Sequence, residues 1–400
     1  MKEYFKSTPA EELQQRITFL REELKRHDID AALIIQKTDF FYYSGTAQQG
    51  WLYVPVEGSV LLMIAKDYQR ALSESGLKNV VFVASPKKIP EVISEYGLAT
   101  PAKLGMELDV VPVNLCNQYQ KLFPESQLVD ISHQIRVQRS IKSDYEIELI
   151  REAARCSDKI AARIPDLLQE GVTEVALAGE IESYARSLGH QGIVRMRLWG
   201  SELFYGHVMS GSGAAIPSYL ASPTGGDGVS PVVAQGAGFK KIRRNEPVLV
   251  DFVFAWQGYL SDHTRIFAIG ELDDELQSAH EAMLEIQERT MKAAVPGVRS
   301  GDLYEQMLQS AEEKGFGPQF MGDGERKIRF TGHGIGLELD EYPFIAKGQQ
   351  MTLAEGMIIA LEPKAIFAGK GVVGIENTHV VTSQGLEPLG QISDRITYLE

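Results

Sequence analysis

Apolar positions recur at helical spacing over residues 10–26, where Leu13, Ile17, Leu20 and Leu24 share one face and predict an amphipathic helix. A short apolar run at residues 30–35 reads as a strand, and the aromatic stretch from Phe40 to Tyr43 stops at Ser44-Gly45. Strand-like runs follow at residues 51–54, 59–64, 80–83 and 103–106. Their alternation with helical stretches predicts an α/β unit, a mixed sheet covered by helices.

Ser143 and Glu146 have the spacing of a capping box and predict the start of a long charged helix. The segment before it, residues 134–142, divides the chain into a first domain over residues 1–138 and a second over residues 139–400. In the second domain, Glu170-Gly171-Val172-Thr173 introduces a helical stretch at residues 174–188 that stops at Gly189. Pro296-Gly297-Val298 introduces another at residues 301–314 that stops at Gly315. This repetition predicts two similar α+β halves with a cleft between their sheets.

Composition narrows the function. The chain has 400 residues, 44% hydrophobic and 24% charged, ordinary values for a soluble globular protein. A net charge of −14 argues against nucleic acid or an anionic membrane as the main partner. The opening residues lack the apolar core of a signal peptide, and no run of about 18 apolar residues predicts a membrane span. Cys116 and Cys156 are the two cysteines, too few for a disulfide framework, so a cytoplasmic location is expected.

The candidate chemistry lies in the last 150 or so residues, where Asp251, Asp262, His333, Glu362 and Glu376 follow one another in order. Asp251 ends the apolar run Val248-Leu249-Val250, which reads as a strand, Asp262 follows the Gly258-Tyr259 turn, and His333 lies in a glycine-rich segment. Glu362 precedes Pro363, and Glu376 follows Gly374-Ile375. If Asp251, Val253 and Ala255 share a strand face, a turn at Gln257-Gly258 returns Asp262 opposite Asp251. Four carboxylates and an imidazole are too costly to bury together without cations, so a pair of divalent ions is expected. An oxygen-rich set with one nitrogen suits manganese, cobalt, zinc or iron.

These segments resemble the metallopeptidases of the creatinase, Xaa-Pro aminopeptidase and prolidase group, the M24 family, in all five ligand motifs. The likeness extends to Asp28-Ile29-Asp30, to residues 39–45 and to residues 140–151, and so covers essentially the whole chain. It implies an α/β creatinase-like N-terminal domain and an α+β pita-bread catalytic domain with pseudo-two-fold related halves. It further implies that Asp262 and Glu376 bridge two metals, that Asp251 chelates one, and that His333 and Glu362 hold the other. Glu362 is then the group that takes a proton from the bridging water. Relatives commonly form homodimers, and Trp51 is a contributor to weigh at such an interface, beside its plainer reading as a core or surface aromatic.

Three positions depart from the family pattern. Ser218 and Asp340 stand where peptidases of the group have histidines, and Gly374 stands where an arginine often precedes the last ligand. An ionised aspartate cannot donate the hydrogen bond that an imidazole can, so Asp340 would instead attract a cationic group or act as a base. His207 and Tyr219 are the candidate substitutes, while His263 alternates away from Asp262 and reads as structural. The glycine- and proline-rich residues 222–231 form either an ordinary loop or one that covers the substrate.

The leading expectation is a metal-activated hydrolase of amide bonds, nominally an Xaa-Pro aminopeptidase or dipeptidase acting on a small peptide. The alternatives are a family enzyme acting on a small cationic metabolite, as in creatine or ectoine hydrolysis or sulfonium cleavage, and a catalytically dead binding module.

Overall fold

Residues 10–26 form the helix that their spacing predicts, α1 (Ala10–Arg26), with Leu13, Ile17, Leu20 and Leu24 buried along it. The computed structural model describes residues 7–219, 222–324 and 327–400. The chain separates into two units, Met1–Arg139 and Ser140–Glu400.

In the first unit, β1 (Ala31–Ile34) is buried along its whole length, as expected of an unbroken apolar run in the middle of a sheet. It is followed by α2 (Lys37–Ser44), β2 (Gly50–Pro55), β3 (Leu61–Ile64), α3 (Tyr68–Glu74), β4 (Val80–Phe82) and α4 (Ile89–Glu95). The unit continues through β5 (Lys103–Met106), α5 (Val113–Leu122), β6 (Gln127–Asp130) and α6 (Ser132–Ser140). The six strands run in the order β4-β3-β2-β1-β5-β6. β1 is antiparallel to β2 and parallel to β5, which makes the sheet mixed. The aromatic residues of α2 lie in a helix because the Gln36 side chain accepts the Thr38 and Asp39 N–H groups, and Gly45, at φ 73°, ends it. Trp51 is a core residue whose indole N–H donates to the Tyr119 hydroxyl at 2.6 Å.

The second unit opens with α7 (Asp144–Leu167), whose first turn carries the Ser143/Glu146 capping box, and α8 (Glu174–Ser187). Next come β7 (Gly206–Ser210), the short α9 (Gly211–Ala214), β8 (Val248–Trp256) and β9 (Tyr259–Ile269). A second helix pair, α10 (Asp274–Ala293) and α11 (Ser300–Glu313), leads into β10 (Phe330–Gly334), β11 (Glu341–Ala346) and β12 (Ile358–Leu361). The chain ends with β13 (Lys364–Phe367), β14 (Gly371–Gly374), β15 (Asn377–Thr382), β16 (Gly385–Pro388) and β17 (Thr397–Leu399).

These strands form two sheets, β17-β9-β8-β7 and β11-β10-β12-β15-β16, and a separate β13-β14 hairpin. Each sheet has its own helix pair. Ile160, Leu177 and Ile181 pack on Val250, Phe252 and Phe254 of the first sheet. Met283, Ile286 and Met307 pack with Ile345, Ile359 and Leu361 of the second.

The β8-β9 hairpin turns through Gln257 (φ 49°) and Gly258 (φ 96°), the two positive values that a two-residue hairpin with right-handed strand twist requires. Its register corrects one expectation. Asp262 pairs with Val253, and Asp251 pairs with Thr264, so the two aspartates share a face but are offset by two residues.

Candidate metal centre

Pairing places the candidate residues on one face of each sheet. In the first sheet His207 lies opposite Asp251, Asp251 opposite Thr264, and Val253 opposite Asp262. Residues directly opposite one another, or two apart on one strand, point the same way. In the second sheet His333 lies opposite Ala360, and Ala360 opposite Thr378. Glu362 lies two residues after Ala360 and Glu376 two residues before Thr378, each just outside the end of its strand.

Two ties join the sheets at this point. The Thr264 N–H donates to the Glu376 carbonyl at 3.1 Å. The Thr378 hydroxyl accepts from the Asp262 N–H at 2.8 Å and donates to the Asp262 carbonyl at 3.0 Å. Behind them the buried Arg265 guanidinium donates to the Glu376 carbonyl at 3.1 Å and to Asn377 Oδ1 at 2.9 Å. Neither threonine nor Arg265 stands out in the sequence, because polar residues on buried strands give no periodic signal.

Asp262, His333 and Glu376 converge, each offering an atom within 4.8 Å of the others. His333 Nδ1 lies 3.0 Å from the Gly334 carbonyl, which requires the proton on Nδ1 and leaves a lone pair on Nε2. That Nε2 is 4.0 Å from Asp262 Oδ2 and 3.8 Å from Glu376 Oε1. Asp262 Oδ1 is buried without a hydrogen-bond partner among the described residues. Three electron-pair donors facing one another, one of them unpartnered, fit a divalent ion. Electrostatics agrees. Burial, and then the Glu376 and Asp251 carboxylates, push the Asp262 carboxyl well above its usual range. Glu376 is pushed up to about 8, chiefly by burial. Burial favours the neutral form of His333, but Asp340, Glu376 and Glu362 raise its pKa. A site where acids resist ionising and an imidazole attracts charge is short of a cation.

Part of that deficit is met from within the chain. Lys364 has no exposed side-chain surface, and its Nζ lies 2.7 Å from Glu376 Oε2, 2.8 Å from Glu362 Oε2 and 3.2 Å from Asp251 Oδ2. The sequence does hold a signal for it. Lys364 opens a strand buried along its whole length, and a lysine there needs carboxylate partners. Lys364 pairs with Gly374 across β13-β14, so the hairpin springs from between the two glutamates.

A cavity of about 120 Å³ adjoins these groups. Asp251, Asp262, His333, Glu362, Glu376, His207 and Asp340 line it, together with Met196, Leu198, Leu203, Phe330 and Leu339. His207 is buried, and its Nε2 has no hydrogen-bond partner among the described residues. Burial pushes its pKa below the ordinary value, which keeps the ring neutral. Ser222 and Pro223 of the glycine-proline loop also reach the cavity, whereas Tyr219 is 62% exposed and, like Ser218, is not among the lining residues. His263 is buried, with Nε2 3.1 Å from the Ser261 hydroxyl, and is likewise not among them.

Comparison with known proteins agrees with this construction. Residues 148–383 match metallopeptidase family M24, and residues 16–141 match the creatinase/prolidase N-terminal domain. The chain is 28% identical to an Xaa-Pro dipeptidase of Pyrococcus furiosus over 94% of this chain and 98% of that protein. It superimposes on an Xaa-Pro dipeptidase from Bacillus anthracis with a TM-score of 0.82 at 26% identity, covering 97% of this chain and 100% of the other. An X-Pro aminopeptidase from Thermotoga maritima gives a TM-score of 0.79 at 25% identity, over 96% and 99% of the two chains. With more than half of its length inside the catalytic match, the chain belongs to metallopeptidase family M24, a pita-bread catalytic domain preceded by a creatinase/prolidase N-terminal domain.

Proposed function

We propose that the chain is a metal-dependent peptidase that releases the residue ahead of proline from Xaa-Pro dipeptides and short Xaa-Pro peptides. One observation carries this reading: Asp262, His333 and Glu376 converge at a small cavity that also holds His207, Asp340 and several apolar side chains. The donor set suits manganese, cobalt, zinc or iron. Of the two ions implied by the family resemblance, this trio supports one, since Asp251 and Glu362 both engage Lys364.

Asp262, His333 and Glu376 would hold a divalent ion, which would supply Lewis acidity and lower the pKa of a water. Glu362 takes the proton from the attacking water and returns it to the leaving nitrogen. Lys364 holds its Oε2, so Oε1 is the oxygen left for that transfer. The unpartnered Nε2 of His207 donates to the substrate carbonyl and to the negative charge that grows there, in place of the family's absent histidines. Asp340 attracts the free ammonium of the substrate, and Met196, Leu198, Leu203, Phe330 and Leu339 take its apolar portions. Tyr219, exposed, has no part in this scheme.

The reading places the protein in a reducing cytoplasm, in keeping with two unpaired cysteines. It also takes the protein as a homodimer, for which the 98% exposed Trp199 and the 69% exposed Phe239 offer apolar surface; light scattering would show the mass. Release of the N-terminal residue from a panel of Xaa-Pro dipeptides and tripeptides tests the activity. The protein is loaded in parallel with manganese, cobalt and zinc, and Glu362→Gln, expected to lose about 100-fold or more, is the control. Absence of turnover with metal demonstrably bound would overturn the peptidase reading and direct the search to small cationic metabolites.

A further inference from the structure

We infer that Lys364 fills one of the two cation positions of this centre with its own ammonium, so that the chain takes up a single divalent ion. The inference rests on the metal-dependent reading above and sharpens it.

The five expected ligands divide into two groups. The grouping differs from the one the resemblance implies, in which Glu362 joins His333 and Asp262 bridges: Asp251 Oδ2 and Glu362 Oε2 both turn to the lysine, at 3.2 and 2.8 Å. Asp262 and His333 face each other at the other focus, 4.0 Å apart. Glu376 belongs to both: Oε2 contacts Lys364 at 2.7 Å while Oε1 looks toward His333 Nε2 at 3.8 Å. With one oxygen on the ammonium and the other turned to the Asp262/His333 focus, Glu376 would link an ion held there to Lys364, the bridging role that the resemblance assigns between two metals.

The ammonium is also held in place. Its side chain is fully buried, and its stem runs beside Gly374, where a Cβ would lie 3.2 Å from Lys364 Cγ and 2.7 Å from its Cα. The absence of a side chain at 374 is therefore what admits the lysine. A second divalent ion at the Asp251 focus would stand in contact with an ammonium that has no route to water, and like charges in so dry a place repel strongly.

Metal content decides the question. Full-length protein is stripped with a chelator and titrated with Mn²⁺, and bound manganese is counted by elemental analysis after gel filtration. The wild type is expected to hold one equivalent and to give the six-line resonance of an isolated Mn²⁺ ion. Lys364→Ala, with the position vacated, is expected to hold two and to give the broadened spectrum of a coupled pair. Asp251→Asn provides a second test should that variant fail to fold, and is expected to keep one equivalent.

Two equivalents in the wild type would overturn the inference and leave Lys364 as a substitute for the missing arginine alone. A folded Lys364→Ala that still takes one, or an Asp251→Asn that takes none while the wild type takes one, would overturn it as well. Manganese bound by none of the proteins would overturn the metal-dependent reading along with it, a result distinct from two equivalents in the wild type.

Discussion

Gly374 faces Lys364 across the β13-β14 hairpin, at φ 143°, and a Cβ there would stand 2.4 Å from the Pro363 carbonyl oxygen. Strain and clash coincide at this position, and neither neighbour can withdraw, because one is backbone and the other anchors the buried ammonium. Gly374→Ala is expected to destabilise the protein by about 2 kcal/mol or more, read from the midpoint of urea unfolding. Unchanged stability would mean that the hairpin has more freedom than its packing indicates.

His207 is the one cavity-lining histidine besides the proposed metal ligand His333 among the described residues. If it donates to the substrate carbonyl as proposed, its replacement by phenylalanine should lower kcat by roughly 100-fold, in line with the loss of one oxyanion donor. KM and manganese content should change little. A variant with full kcat would remove His207 from the chemistry and leave it a packed ring.

Asp340→Asn separates recognition from chemistry. If the aspartate holds the substrate ammonium, KM for free dipeptides should rise about tenfold or more, the scale of a charge-assisted hydrogen bond, with kcat little altered. N-acetylated substrates, which carry no ammonium, should respond alike to the variant and the wild type. A rise in KM for both substrate kinds would refute the assignment.

Metal should stabilise the fold measurably. At a hundredfold excess over its dissociation constant, an ion bound only by the native state contributes about 2.7 kcal/mol. For a unit of this size that corresponds to a rise of roughly 5–10 °C in Tm. His333→Ala should abolish most of the rise seen by calorimetry on adding Mn²⁺.

Stability should also depend on pH through His190, which is not among the residues lining the cavity. Its Nε2 donates to the Val253 carbonyl at 3.1 Å and its Nδ1 accepts the Gly192 N–H at 2.9 Å, so the neutral ring has both partners. Burial pushes its pKa down to about 4. Between about 6.5 and 4 the unfolded chain therefore binds a proton that the native ring does not, and stability falls as pH drops through that window. The loss is on the order of 2 kcal/mol and should be flattened in His190→Gln.

Much of this was open to reading from the chain alone. Helices α1, α8 and α11 followed from apolar spacing and glycine stops, because a helix that buries one face must repeat every three to four residues. Asp262, His333 and Glu376 were legible because each sits in a distinctive local context. The register of β8 on β9 was not, since a two-residue hairpin sets the offset through backbone dihedrals that several sequences satisfy. Tyr219 lay in an irregular loop, where proximity along the chain to Ser218 says little about direction. Lys364 was legible in principle from its place at the head of a buried strand, but its partners come from three separate segments.

A cation carried on a side chain has no dissociation constant. If the pair of charges at this centre comprises one ion and one ammonium, the fraction of active molecules follows the first power of free metal concentration, whereas a centre that must capture two ions follows the square when both are scarce. Lys364, fixed among Asp251, Glu362 and Glu376, would keep half of the centre permanently assembled and extend its working range into metal-poor surroundings.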